Sequence, residues 1–461
     1  MAPALLLAAV SLERSQAHAS DVTATGFAVS FVAGGTDAAG RFMGGTEMRN
    51  LAVHGGRLYA GNGYWEDRPG GEGLQGAQLL VLDGPQARWR VERNLAERLP
   101  RGRPRFLAIS ALASVIFARD GAGRALPSPA TMLLAAAWDL AGESQVFARD
   151  DATGAWATMP LAAPRLTGGR IQQVRALALH RDAATGADVV LAGNDPYGIY
   201  AGTYDVDAPG RIRWRDAPEL ALGSIVAGPF PGLDRVRVSS FAVADGVLPA
   251  AIGQQVYRRI DGAAPRWDLA YTNPKPNTSE TGLRGLTAIR GPDGRARLLA
   301  AVEGNPGRIL RIDPRDGSEA TELDLSDFLG RAWATRIGYV IAAYNGMTVL
   351  ARPDGEVDVL LGLEAFYAPG VAAPPGHVRL EGGIEAGGWY LRRHPDGSYE
   401  LHAIAPAHPS TGRPLVATRD IARSPFPGDD ALYFAGFDAN KRAAHDTAWI
   451  FRAARAQALG R

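Results

Sequence analysis

One short motif recurs along the chain: arginine, any residue, an apolar residue, a small residue. "MRNLAV" carries it at Arg49, "VRALAL" at Arg175, "LRGLTA" at Arg284, "GRAWAT" at Arg331 and "TRDIAR" at Arg419. "ISALAS" and "VSSFAV" place Ser110 and Ser239 where the arginine stands elsewhere. A repeat of this kind constrains the fold more than composition does, because recurring units must pack against copies of themselves.

Each copy is followed by a run of apolar and small residues, such as "RLYAGNG", "VVLAGND", "LLAAVEGN", "VIAAYNG" and "LYFAGFD". The spacing supports this alignment, since Ala52 to Ala60 is the same step as Ala334 to Ala342. A third run follows ("QLLVLDG", "QVFARDD", "GIYAGTYD", "RILRIDP", "TVLARPDG"), and it mostly ends in Asp or Asp-Gly, which suits a tight reversal between antiparallel strands. A fourth often carries Trp, at Trp89, Trp156, Trp214 and Trp267. Four antiparallel strands repeated seven times describe an all-β, seven-bladed β-propeller. The last unit lacks a fourth strand, and "GFAVSFVAG" near the N-terminus can supply it and close the ring.

The interval from Arg331 to Arg419 is about twice the shorter spacings. It predicts a hairpin inserted around residues 364–413, with eight blades as the alternative. Residues 20–461 then form a single domain. Residues 1–19 read as a signal peptide or disordered leader, because "APALLLAAV" precedes Ala17-His18-Ala19, a small-x-small cleavage form. That points to a periplasmic or extracellular protein. The Gly-His/Trp-Asp repeats of one propeller group and the paired glycines of kelch blades are both missing.

The 56 Gly and 31 Pro suit many short strands. A net charge of +1 with no basic tail argues against nucleic acid as a partner. Cysteine is absent, which excludes disulfides, Cys-ligated metals and thiol nucleophiles. No stretch is apolar for long enough to span a bilayer as a helix, and a monomer is expected.

In such a fold the heads of the first strands and the second-to-third connections share one rim. Arg49, Arg175, Arg284, Arg331 and Arg419 would meet there with Asn62, Asn194, Asp139, Glu303, Asn345 and Asp438. One reading is a funnel for an anionic small molecule or glycan, because guanidinium pairs bidentately with carboxylate, sulfate or phosphate. The plainer reading is that each arginine pairs with an acid of a neighbouring blade. His445, Tyr64 and Tyr197 are candidates for proton transfer, with a lyase or hydrolase acting on an acidic carbohydrate or small acid as the reaction class. Two alternatives stand beside it. One is a non-catalytic binding or scaffold propeller. The other is a calcium-dependent, lactonase-like hydrolase with Asn62, Asn194, Glu303 and Asp438 as metal ligands. His54 and His180 read as turn residues at the opposite rim.

Overall fold

The computed structural model describes residues 26–64, 74–167, 172–224, 236–276, 282–291, 293–405, 407–408, 412, 414–438 and 446–460. The leader expected at residues 1–19 and the candidate His445 lie outside them. The fold is all-β.

The described strands fall into seven antiparallel groups of four, named here units one to seven. Unit one is Glu47–His54, Arg57–Gly63, Gln78–Leu82 and Arg90–Asn94. Unit two is Phe106–Arg119, Ala125–Asp139, Gln145–Arg149 and Trp156–Pro160. Unit three is Gln173–Arg181, Asp188–Asp195, Gly198–Tyr204 and Ile212–Trp214. Unit four is Val238–Phe241, Pro249–Ile252, Gln255–Ile260 and Arg266–Thr272. Unit five is Leu283–Arg290, Ala296–Val302, Arg308–Ile312 and Glu319–Asp324.

Unit six departs from the sequence expectation. Its first strand comes in two pieces, Ile337–Ala342 and Thr348–Ala351, both paired to Val357–Tyr367. Trp389–Arg393 and Tyr399–Ala403 complete it. So "VIAAYNG" belongs to a first strand and not to a second. The strands expected as an inserted hairpin at 364–413 are the unit's own outer strands. Arg331 heads no strand. It lies in the helix Leu325–Ala332, exposed, with Asp327 at 3.7 Å. The helix has its own local cause: Asp324 caps it by accepting from the Asp327 N–H at 2.8 Å. Leu325, Phe328 and Leu329 then turn one apolar face inward, at helical spacing. The equal Ala-to-Ala steps were coincidence.

Unit seven is Ala417–Arg423, Ala431–Phe437 and Trp449–Ala454, and the N-terminal strand Ala28–Val32 is its fourth member. Val29 stands opposite Phe451 and Val32 opposite Trp449. The two ends of the chain are thereby hydrogen-bonded into one group.

Each group packs its apolar face on the next. Leu79 of unit one meets Ile109 of unit two, and Leu134 of unit two shares a cluster with Val190 of unit three. Leu191 of unit three joins Leu248 of unit four, and Val256 of unit four joins Leu310 of unit five. Ile309 and Leu361 link units five and six; Leu360 and Phe434 link six and seven. Leu80 and Tyr433 link one and seven. Middle strands with a neighbour on both faces bury nearly every residue, which is why they read as continuous apolar runs. Trp89 packs in the cluster joining units seven and one, and Trp156, Trp214 and Trp267 pack half-buried against their own clusters.

Hydrogen bonds also join first strands. The Asp420 carboxylate of unit seven accepts from the Leu51 N–H of unit one at 2.8 Å, and Ser240 accepts from the Leu286 N–H of the next unit. At the far ends of first strands, His54 and His180 are buried and bond Asp151 and Asp261 of the following units, at 2.9 Å each. They are inter-unit ties, not solvated turn residues. No helix among the described residues is long and apolar enough to cross a membrane.

Burial, opposed only by the Leu51 and Ile421 N–H groups, pushes the Asp420 carboxyl up to about 7. A raised acid is most favourable when protonated, so its contribution weakens as pH rises from the ordinary carboxylate range towards 7. Asp420→Ala is expected to cost about 1–3 kcal/mol in urea unfolding, by leaving the Leu51 N–H without its acceptor.

Candidate functional site

The recurring arginines and serines share one backbone feature. In units one, two, three, four and seven the ladder between first and second strands slips by one residue. The skipped residue is Arg49, Ser110, Arg175, Ser239 and Arg419, respectively. In unit five the slip follows Arg284. A β-bulge leaves one residue unpaired and re-aims its side chain, so the motif marks a deviation that recurs from unit to unit. Unit six has a larger version. Residues 343–347 lie between Ala342, opposite Leu363, and Thr348, opposite Leu360. Tyr344 therefore occupies the place that arginine holds elsewhere, and the member expected at Arg331 is replaced by a phenol.

These bulges converge. The Tyr344 ring lies 4.3 Å from the Arg419 guanidinium, 4.4 Å from that of Arg284 and 5.4 Å from that of Arg49. Burial lowers the Arg175 guanidinium, but Tyr344 and Asp195 outweigh that and hold it above its ordinary range. The backbone of the same segment is held too: Arg284 donates to the Tyr344 carbonyl at 3.2 Å, and the Asn345 amide donates to the Arg49 carbonyl. Ser110 and Ser239 donate to the Val174 and Leu283 carbonyls, each just before the next unit's bulge arginine. One segment of unit six thus reaches units one, three, five and seven and fills the centre of this hub.

The arginines are buried and largely paired with acids. Arg419 donates to Glu47 of unit one at 2.8 Å and to Glu364 of unit six at 2.7 Å. Arg284 bonds Glu303, which also accepts from Tyr339 at 2.5 Å. Arg175 donates to Asp195 at 3.2 Å. Arg49, only 1% exposed, reaches Glu47 no nearer than 3.6 Å. Arg237, two residues before Ser239, is a further member. Burial first, then the charge of Arg175, holds its guanidinium below the ordinary arginine range. Burial pushes Asp195 and Glu364 up despite their arginine partners. Tyr344 moves the other way: burial raises it, but Arg49, Arg175 and Arg419 together outweigh that and bring its hydroxyl below the usual phenol range.

The remaining candidates lie elsewhere. The Asn62 amide donates to the Gly44 carbonyl at 2.6 Å and to Gln78, while its oxygen accepts from the Gln78 N–H. Asn194 donates to Ser144 at 2.6 Å. Asp139 accepts from Arg105 and from the Ala141 N–H. The Asp438 carbonyl accepts from Thr447 at 2.6 Å. The four proposed calcium ligands, Asn62, Asn194, Glu303 and Asp438, are each engaged in a different unit. Tyr64 is buried and donates to Asp446 at 3.2 Å. Tyr197 packs against the cluster between units two and three.

A second constellation lies on unit six, where the sequence offered no repeat to follow. Tyr367 ends the second strand, opposite Ile337 at the head of the first. Residues 368–388 connect it to the third strand. Within that connection Ile384–Glu385 pairs back on Ala365–Phe366, which sets the Glu385 carboxyl beneath it. The Tyr367 hydroxyl donates to one Glu385 oxygen, and His377 Nδ1 lies 2.8 Å from the other. Trp333 packs edge-on to His377 and tilted against Trp389. The exposed Arg379 sits 5.9 Å from the Tyr367 ring. The Glu385 side chain is 1% exposed, and burial, opposed only in part by Trp389, pushes it up to about 8. His377 keeps 19% of its side chain exposed. The available signal was "GGIEAGG", a carboxylate flanked by glycines in a long connection.

Removing one member of a buried ion pair strands its partner. Arg419→Met is expected to cost about 3–5 kcal/mol by chemical denaturation. Adding Glu364→Leu should recover part of that loss, because one stranded carboxylate is removed with it.

No protein-family model matches the sequence, and no curated protein is similar to it. Among solved structures, the chain is similar to the Cps50 (Swd1) β-propeller domain of Myceliophteria thermophila. The identity is 13% and the TM-score 0.45, over 92% of this chain and 99% of that one. It is also similar to an ancestral GH74 enzyme, at 12% identity and TM-score 0.44, over 92% of this chain and 51% of that one. A GH43 β-1,3-galactosidase matches at 10% identity and TM-score 0.31, over 63% of this chain and 98% of that one.

Proposed function

We propose that the chain is a seven-bladed β-propeller that carries out general acid–base chemistry on an acidic carbohydrate or small acid at the unit-six site. The propeller reading is supported by seven four-strand groups, by apolar packing at every junction from one to seven and back to one, and by the N-terminal strand in the last group. The catalytic reading rests on one observation, the 2.8 Å contact between the buried Glu385 carboxyl and His377 Nδ1.

With Glu385 protonated near neutral pH, it donates to Nδ1, and the imidazole then bears its hydrogen on Nε2. His377 is the partly exposed member, so its Nε2–H would protonate a leaving oxygen while Nδ1 takes up the Glu385 proton, leaving a neutral imidazole and a Glu385 carboxylate. Tyr367 is a positioning residue: it holds the Glu385 carboxyl against the ring. Arg379 supplies an exposed cation for a substrate carboxylate. The arginine hub does not serve as the substrate funnel in this reading, because its guanidinium groups are buried and most are paired with acids.

The test is turnover of uronate-containing oligosaccharides and aryl glycosides, comparing wild type with His377→Asn and Glu385→Gln. Loss of the acid should lower kcat by about 10²–10⁴-fold. The wild-type rate should fall as pH rises through about 8, where the Glu385 proton leaves. That limb should move in Glu385→Gln. The sign for stability follows the same group: a carboxyl raised on folding stabilises most below its unfolded pKa and loses that stabilisation between about 4.5 and about 8. Glu385→Gln should flatten this part of the stability profile. If no substrate turns over and none raises the melting temperature, the non-catalytic scaffold reading takes its place. Export is part of the same proposal, and N-terminal sequencing of secreted protein should begin at Ser20.

A further inference from the structure

The hub presents a charge problem that the unit-six chemistry does not touch. The guanidinium groups of Arg49, Arg284 and Arg419 crowd around Tyr344, and those of Arg175 and Arg237 are near enough to interact with it electrostatically, which makes five. Four carboxyl groups face them: Glu47, Asp195, Glu303 and Glu364. With all of them ionised, +5 against −4 leaves one excess positive charge among the described residues.

The hydrogen-bond inventory locates the excess. Arg49 is nine-tenths buried and more, yet its Nε and Nη2 make no hydrogen bond among the described residues. Its guanidinium lies 5.4 Å from both the Trp138 and Tyr344 rings. Ring faces offset some charge but accept few directed hydrogen bonds. Arg175 Nη1 and Arg237 Nε are likewise without an acceptor. A buried cation with unmet donors costs several kcal/mol, and chains rarely leave one so. These unmet donors belong to units one, three and four, and all three guanidinium charges interact with the one phenol. Arg419, between Glu47 and Glu364, has the opposite surroundings.

We propose that the hub holds one small inorganic anion of halide size, seated between the guanidinium groups of Arg49, Arg175 and Arg237 beside the Tyr344 hydroxyl. The size follows from Tyr344, whose ring already occupies the centre. The anion replaces the acid that a fifth arginine would need, and it closes a ring whose bulge positions in units two and four carry neutral serine.

The test has two independent readouts. Crystals grown in bromide should show an anomalous peak within contact distance of Arg49 and Arg175. At constant ionic strength, replacing a bulky organic anion by chloride or bromide should raise the melting temperature of wild type by about 2 °C or more. Arg49→Met should lose that rise, and Tyr344→Phe should keep it. Absence of the anomalous peak overturns the proposal whether or not the variants fold. So does neutral-pH tyrosinate absorbance that Tyr344→Phe abolishes, because the phenolate itself would then be the missing negative charge. Stabilisation by sulfate or phosphate with none by halide overturns the size assignment.

Discussion

Everything at the centre of this molecule depends on burying guanidinium groups next to one another. Like charges at such range repel strongly in a low-dielectric interior, and the chain offsets that with carboxylates, from the same unit for Arg175 and Arg284 and from neighbouring units for Arg419. Arg419 shows the arrangement most fully. Its two partners, Glu47 and Glu364, come from the units on either side of it. An ion pair of this kind cannot form within one unit, so it constrains the order in which units meet. The bulge is what makes it feasible, because it turns a first-strand side chain out of the ladder and towards the centre.

The repeat was legible because it records that bulge. Arg49, Arg175, Arg284 and Arg419, with Ser110 and Ser239 in the intervening units, were aligned from sequence, and the ladder slips at or beside each of them. The closing strand at Ala28–Val32 was legible too, since an unfinished last unit demands one. Unit six was not. Its motif match, "GRAWAT", lies in a capped helix, and the true counterpart of the arginines is a tyrosine in an expanded bulge. A residue-type motif cannot find a position that keeps the backbone feature and changes the side chain.

Two of the acids were invisible for a different reason. Glu47 and Glu364 are ordinary carboxylates in sequence, and their meaning comes from which arginine each one meets; Asp195 was legible as an acid for a motif arginine, and it meets Arg175 of its own unit. Glu303 was singled out, but as a calcium ligand or a rim acid, whereas Arg284 and Tyr339 already occupy its two oxygens. Glu385 and His377 were missed because they belong to no repeat at all. They lie in the connection 368–388, the part of unit six that repeat alignment discards as an insertion.

That division has a physical logic. Positions that recur in every unit answer a demand that every unit shares, namely to reach the centre and to tie one first strand to the next. A site that binds or transforms a ligand makes an asymmetric demand and needs groups that no other unit duplicates. Unit six carries both kinds of position, shared and unshared. It gives Tyr344 to the shared hub, and its long second-to-third connection brings Glu385, His377, Tyr367 and Arg379 together, off the hub. The two are linked through Tyr339, which donates to Glu303 of the hub while its ring packs edge-on against Phe366, the neighbour of Tyr367. From Arg284 the path towards the Glu385–His377 cluster runs through two hydrogen bonds, Arg284 to Glu303 and Tyr339 to Glu303, and one aromatic contact, Tyr339 on Phe366, so the hub and this cluster are built on one continuous set of contacts.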